Sequence, residues 1–304
     1  MLLKNSRLIK IKSGFVAIIG RPNVGKSSLL NALIGEKIAI TSPKPETTRN
    51  RILGAITTSD YQIIFVDTPG MGKSYNLLSQ KVTQVAKASV EDNDLVYLVV
   101  DQKYNDSSKF IIDYLKKTNS KVFLIINKID KLKSKSQIDE IILSYVNLYD
   151  FKAFVPISSI DKTHIDKLVE LTVDEMPEGG LLFEEDFISD QSKTVRMMEL
   201  IREKILLHTE AEVPHSAAVV IENMFYNEES GQYDVFADII VEKNSQKQIL
   251  IGKDGSKIKS IGTAARLDIN KTLETKIHLE LWVKVKKNWR NDPKMLLSLG
   301  IGED

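Results

Sequence analysis

The sequence predicts an α/β chain in two parts: a mostly parallel, six-stranded sheet with helical crossovers, then a smaller α+β domain. Three observations lead there. Between residue 14 and about residue 173, short apolar runs alternate with stretches of helical period. A glycine-rich loop separates the first apolar run from the first helical one. Beyond residue 191 the order changes to a helix, two strands, helical turns and one long strand. A length of 304 residues suits two domains.

Strands are expected at 15–19, 52–57, 63–67, 95–101, 122–126 and 153–157. Only Ser59-Asp60 is left as a turn between the second and third, so these form a hairpin and one antiparallel edge. The other spacings fit helices, which makes the rest of the sheet parallel and puts ligands at the carboxyl ends of its strands. Pro177, the paired glycines 179–180 and clustered acids make 176–190 read as a linker. In the second part, Ser192 can cap a helix bearing Val195, Met198, Ile201 and Ile205. Strands follow at 216–225 and 233–241. Next come a glycine turn, about two turns of helix, a further helix from Thr263 and a long strand over 276–287. In that strand Ile277, Leu279, Leu281, Val283 and Val285 share one face.

Composition excludes several classes. With 42% hydrophobic and 27% charged residues, 15 Gly and 8 Pro, the chain is neither disordered nor collagen-like. It has no cysteine, which excludes disulfides, thiolate metal sites and a cysteine nucleophile, and fits a reducing compartment. His164, His208, His215 and His278 show no ligand spacing. Residues 1–14 lack the apolar core of a signal peptide, and the apolar run 95–100 is far short of a membrane span. A soluble, cytoplasmic protein is expected.

The net charge of +1 conceals a segregation. Residues 1–173 carry 25 basic against 17 acidic residues, 174–245 carry 5 against 17, and 246–290 carry 11 against 4. The last basic block reads as a surface for a polyanion or as a solvated face, in equal measure.

Gly20-Arg21-Pro22-Asn23-Val24-Gly25-Lys26-Ser27 fits G-x-x-x-x-G-K-S between a strand and a helix, with Ser28 next in line. Such a loop turns backbone N–H groups toward phosphate, Lys26 adds a cation for terminal oxygens, and Ser27 offers a hard ligand for Mg²⁺. Asp67-Thr68-Pro69-Gly70 ends the third strand. Its carboxylate can hold a magnesium-bound water, and the Gly70 N–H can meet a γ-phosphate. Asn127-Lys128-Ile129-Asp130 ends the fifth. Asp130 is an acceptor pair suited to the N1–H and amine of guanine. At the sixth strand end a backbone N–H of Ser158-Ser159 can meet guanine O6. In the polar segment 35–50, Thr48, in preference to Thr47, can ligate Mg²⁺ when a γ-phosphate is present.

In order and residues, GRPNVGKS, TTR, DTPG, NKID and ISS resemble the translation-factor-related GTPases and specifically the Era family. The resemblance implies a GTP/GDP-binding, Mg²⁺-dependent GTPase domain over 1–176. Met71 stands where Ras-like switches place a water-orienting glutamine, so slow intrinsic turnover is expected. By analogy with similar GTPases, Asn23 would help bind K⁺.

Residues 252–255, Gly252-Lys253-Asp254-Gly255, form G-x-x-G between an expected strand and a helix, with Lys257 and Lys259 beside it and Arg266 further along the helix. Backbone N–H groups and lysines of such a loop can clamp a nucleic-acid backbone while an apolar groove takes unstacked bases. The α-β-β-(GxxG)-α-β order and the blocks IGKDGSKIKSIGTAAR and LELWVKVKKNWR resemble the type II KH domain of the same family. The domain would cover 192–290, after a linker at 177–191 and before a tail at 291–304. Trp282 and Trp289 read as packing more readily than as stacking platforms and are left unassigned.

The resemblance implies binding of single-stranded RNA at the 3′ region of small-subunit ribosomal RNA, a role in small-subunit assembly, and peripheral membrane association as a further contact. Nothing demands a dimer, so a monomer is expected. The alternative is a signalling GTPase whose C-terminal domain docks a protein or membrane surface.

Overall fold

The computed structural model describes residues 10–71, 75–91 and 93–301. Their contacts form two units, one drawn from 1–36, 51–71 and 86–190, the other from 37–50, 72–85 and 191–304.

The first unit is built on β1 (Ile11–Gly20), α1 (Lys26–Ile34), β2 (Ile52–Thr57), β3 (Tyr61–Asp67), the part of α2 (Leu77–Glu91) from Ala86 onward, β4 (Leu95–Val100), α3 (Asp106–Leu115), β5 (Val122–Ile126), α4 (Lys135–Tyr145), β6 (Ala153–Pro156), α5 (Ile165–Glu175) and β7 (Glu178–Gly179), while residues 77–85 of α2 belong to the second unit. The sheet order is β2-β3-β1-β4-β5-β6. Only β2 runs antiparallel on this path, in the register Ile52↔Asp67 to Thr57↔Gln62. All residues of β4 and β5 are buried, as a parallel sheet covered on both faces requires. That burial is why these strands read as unbroken apolar runs. Tyr97 illustrates the cost of a polar atom there: its hydroxyl bonds Thr172 Oγ1 inside the core, and burial pushes its pKa up.

Two features depart from the sequence reading. β1 begins at Ile11 because β7 pairs with it antiparallel, Ile11↔Gly179 and Lys12↔Glu178, making a seventh strand. Lys12, Ser13 and Gly14 carry no apolar alternation, so pairing alone extends the strand. The stretch read as a linker lies along this unit. Ala55 N donates to Ile188 O (2.9 Å), Leu53 N to Asp190 Oδ1 (3.0 Å), and Gln62 Oε1 accepts from the amides of Leu182 and Phe183. β2 is an edge strand, and these bonds satisfy backbone groups that would otherwise be open for pairing.

The second unit contains α6 (Lys193–His208), α7 (Val213–Ser216), β8 (Ala218–Asn227), β9 (Gln232–Val241), α8 (Asn244–Ile251), α9 (Ser256–Thr272), β10 (Ile277–Val285) and α10 (Pro293–Ser298). Its sheet order is β10-β9-β8, with β9 and β10 parallel. Ser192 caps α6 as expected, accepting from Val195 N. Met197, Leu200, Ile201 and Ile205 of α6 and Ile261, Ala265 and Ile269 of α9 pack on Val235, Ala237, Ile239 and Val283. The helical order differs from the expectation. α8 precedes the Gly252–Gly255 turn, and α9 is one helix from Ser256 that passes through Gly262 and Thr263. A mid-helix glycine costs about 1 kcal/mol relative to alanine. Burial of Ile261, Ala265 and Ile269 outweighs that, and a Cβ at Gly262 would already touch Leu281 (3.5 Å).

Part of the other sheet face is also covered. Ala218 and Ile240 pack with Trp289, Met295, Leu296, Ile301 and with Leu78 and Val82 from the start of α2. Trp289 is fully buried, with Nε1 donating to Ser216 O (2.9 Å), so the packing reading of this residue holds. The segment 37–50 belongs to this unit as well. Lys37 pairs with Glu203 (2.7 Å) and Asp268 (2.9 Å), and Thr41 N donates to Glu203 Oε1 (2.9 Å). Burial alone would raise the Asp268 carboxyl, but hydrogen bonds from Lys204 and Lys37 outweigh it and hold it at about 2. Arg49 is buried; its guanidinium donates to Ala217 O (2.9 Å) and His215 O (3.3 Å) and lies 5.7 Å from the Trp289 ring centre.

Trp289→Ala removes a fully buried ring, one hydrogen bond and the face under Arg49. A loss of about 3–5 kcal/mol is expected in urea unfolding of the full chain. A loss below about 1 kcal/mol would show that this cluster does not hold the second unit together.

Candidate nucleotide and nucleic-acid sites

The carboxyl ends of β1, β3, β4, β5 and β6 bring the predicted nucleotide residues of the first unit to one edge of the sheet. β1 lies between β3 and β4, where the strand order reverses direction, and the loop leaving it runs through Gly20–Gly25 into α1. Gly25 sits at φ +97°, and a Cβ there would collide with Asn127 Nδ2. This glycine therefore serves two needs, a left-handed backbone and close approach of a second loop.

Lys26 is buried, with Nζ donating to Gly20 O (3.2 Å) and Arg21 O (3.1 Å). Burial pushes its ammonium down to about 8, opposed by the Asp67 charge. Ser27 Oγ donates to Asp67 Oδ2 (2.6 Å), and Asp67 is fully buried at the end of β3. A hydroxyl and a carboxylate side by side are hard oxygen donors, the set that suits Mg²⁺. Thr68 Oγ1 ties the following turn to Ile18 O (2.8 Å), and Pro22 packs directly against Gly70. Ser28 is half-buried within α1. Met71 is buried among Ala17, Ile19 and Leu98, and its N–H donates to Gly20 O (3.1 Å). Its thioether is a core side chain, which suits a residue unable to orient water.

Asn127 joins three loops. Its Nδ2 donates to Val24 O (3.0 Å) in the glycine-rich loop, and its Oδ1 accepts from Lys128 N (2.8 Å), Ser159 N (3.2 Å) and Ser159 Oγ (2.9 Å). Asp130 is exposed in the short helical turn Ile129–Lys131, and Ser158 Oγ holds one of its oxygens (2.7 Å). That bond orients the carboxylate, and both of its oxygens keep acceptor capacity.

Sequence reading missed Asp101. It follows β4 and pairs with Arg21 (3.2 Å) and with Lys128 (2.7 Å), while Lys128 Nζ also bonds Asn23 O. One carboxylate thus ties the glycine-rich loop to the loop after β5. Its only sequence signal was an acid directly after a wholly buried strand, on the edge where ligands bind.

In the second unit the Gly252–Gly255 turn links α8 to α9. Gly252 has φ +72° and a Cβ there would lie 2.8 Å from Lys257 Cβ; Gly255 and Asp254 are also left-handed. Lys253, Lys259 and Arg266 are exposed, Lys257 is half-buried, and Ile258 and Ile261 pack inward. Lys253 in the turn and Lys259 and Arg266 along α9 thus present three exposed cations.

Comparisons with known proteins match stretches in both halves of the chain. Residues 15–128 match the family described as 50S ribosome-binding GTPase, and residues 212–290 match the KH domain family. The chain is 47% identical over 291 residues to GTPase Era of Ruminiclostridium cellulolyticum, spanning 95% of this chain and 97% of that one. It is 45% identical over 292 residues to GTPase Era of Clostridium kluyveri, spanning 95% and 99%. The chain belongs to the Era family of GTPases. Two solved Era structures superpose with a TM-score of 0.91 at 36% identity, covering 96% of this chain and all of theirs. One is a tyrosine-to-alanine variant of Aquifex aeolicus Era bound to GDP·AlF4⁻; the other is Era with MgGDPNP and nucleotides 1506–1542 of 16S ribosomal RNA.

As an Era-family GTPase the protein hydrolyses GTP, and Lys26 gives its nucleotide site a measurable proton linkage. With a pKa near 8, about half of the Lys26 ammonium groups are charged at pH 8, whereas a bound phosphate requires the charged form. GDP binding at pH 8 should therefore take up about half a proton, and affinity should fall as pH rises past 8. Calorimetry in two buffers of different ionisation enthalpy measures the uptake; none at pH 8 would contradict this electrostatic picture.

Proposed function

We propose that this protein is a GTP-hydrolysing switch that binds single-stranded RNA, the 3′ region of small-subunit ribosomal RNA, during assembly of the small ribosomal subunit. The observation that carries the reading is the Asn127 junction, which fixes a phosphate loop, a guanine-recognising carboxylate and the Ser158-Ser159 turn in one place. The GxxG turn, the matched KH region and the RNA-bound relative support the second half.

In this reading the N–H groups of 20–28 and Lys26 hold the β- and γ-phosphates, Gly70 meets the γ-phosphate, and Asp130 selects guanine. Ser27 would ligate Mg²⁺ and Asp67 would hold it through a bound water, and the ion would supply neutralisation of charge on the phosphate oxygens. Thr48 is the third, GTP-dependent ligand. Thr47 Oγ1 bonds Lys44 O (2.7 Å) and Ser42 Oγ (3.1 Å) within its own segment. Asn23 would help bind K⁺, a cation that stands in for an arginine finger. Lys253, Lys257, Lys259, Arg266 and the 252–255 backbone clamp RNA phosphates. Among the described residues no helix is long and apolar enough to cross a membrane. The protein acts as a cytoplasmic monomer whose membrane contact is peripheral.

Two experiments test the two halves. Asp130→Asn should exchange guanine for xanthine preference, because an amide supplies a donor where guanine presents one; unchanged selectivity in competition binding would sink the base assignment. Lys253→Glu/Lys259→Glu should weaken a 3′-end RNA oligonucleotide at least tenfold and flatten its salt dependence, with GTP turnover preserved. Equal affinity for a scrambled strand, in GDP and non-hydrolysable GTP analogue alike, would leave a sticky basic domain and favour a docking function instead.

A further inference from the structure

The sheet of the second unit has a face that neither nucleotide nor RNA binding uses. Side chains alternate along its strands, so Val235, Ala237 and Ile239 turn to the helices while Asp234, Phe236 and Asp238 turn the other way. Near Trp289 that outer face is covered, as Ala218 and Ile240 show. Toward the other end of β9 it is open and aromatic. Phe225, Phe236 and Trp282, one from each strand, stand in a row with ring centres 5.8 and 5.9 Å apart and planes within 24° and 15° of parallel. Phe225 is 45% and Trp282 48% exposed, a large apolar surface for residues with inward positions available on the same strands.

The charges around this row decide what can sit on it. Asp234 pairs across from Phe225 and Glu280 across from Phe236 in the strand register, and Glu222 occupies the irregularity in β8 beside them. Asp238 is on the same face, engaged by Lys284. His278, the other basic group on β10's outer side, is 3.4 Å from Glu280. Aromatic faces rimmed by carboxylates repel a phosphate backbone, so a second RNA platform is disfavoured however well the rings could stack. The same chemistry attracts a guanidinium, which stacks flat on an indole and reaches flanking carboxylates with its donors. The face also gives a role to the acid excess between 174 and 245, which the RNA site leaves unused.

We propose that the outer sheet face formed by Phe225, Phe236 and Trp282, with Asp234, Glu222 and Glu280, docks an arginine-rich segment of a partner protein. It is a second binding surface, opposite in charge to the GxxG loop.

The full-length protein bound to GDP can be titrated with the peptide acetyl-Arg-Gly-Arg-Gly-Arg-Gly-amide, following tryptophan fluorescence. Trp282 is exposed and Trp289 buried, so a contact on this face changes the signal of Trp282 and disappears in Trp282→Leu. Saturable binding is expected, weakened at least about fivefold by Asp234→Asn/Glu280→Gln, which keeps all three rings, and weakened when lysine replaces arginine in the peptide. GTP turnover and RNA affinity of these variants should match the parent chain, which confirms folding. Peptide binding that survives both Trp282→Leu and Asp234→Asn/Glu280→Gln overturns the proposal, as does absence of binding at millimolar peptide. So does quenching of Trp282 by a single-stranded RNA oligonucleotide that displaces the peptide, which would make the face a base-stacking platform.

Discussion

The nucleotide site depends on the side-chain amide of Asn127. It is a buried group that bonds the loops after β1, β5 and β6 at once, donating to Val24 O and accepting from Lys128 N and Ser159. Each of those bonds is worth about 1 kcal/mol net, but leaving the buried partners unsatisfied costs about 1–3 kcal/mol each. The amide has both a donor and an acceptor end, which neither aspartate nor leucine of similar size supplies. Gly25 is part of the same constraint, since any Cβ would occupy the position of the amide nitrogen. Asp101 adds an ionic tie between the same two loops through Arg21 and Lys128.

In the second unit, charge is separated by face. The helical face ends in the GxxG turn and its lysines, and the open part of the sheet face carries aromatic rings and acids. The net charge of +1 belongs to the whole chain and conveys nothing about either surface. Proximity to a polyanion favours such an arrangement: acids on the second face limit indiscriminate adhesion of RNA while leaving the clamp attractive.

The segment 37–50 was legible as a switch candidate from its threonines, yet its place was not. Lys37, Thr41 and Arg49 bond Glu203, Asp268 and the carbonyls of 215 and 217, residues more than 160 positions away. No periodicity predicts such pairs. Arg49 shows why. A charged residue in a polar stretch reads as surface, and only the assembled carbonyls and the Trp289 ring make its burial tolerable, although desolvation and Arg202 press its pKa down.

By itself the sequence determined what local chemistry dictates: the parallel sheet from its apolar runs, the glycine-rich loop, the order of Asp67, Asn127 and Asp130 along the chain, and the G-x-x-G turn. These are legible because backbone sterics, side-chain period and donor–acceptor type are properties of short segments. Tertiary structure alone decided the rest. Strand pairing lengthened β1 and recruited 177–190 to a sheet edge, packing carried α9 through Gly262, and long-range bonds assigned Asp101, Lys37 and Arg49 their partners. It also separated two tryptophans seven residues apart, burying Trp289 and exposing Trp282. The physical reason is common to all of them. Burial and pairing energies belong to residues that meet only after folding, and a linear pattern cannot encode which distant group supplies the other half of a bond.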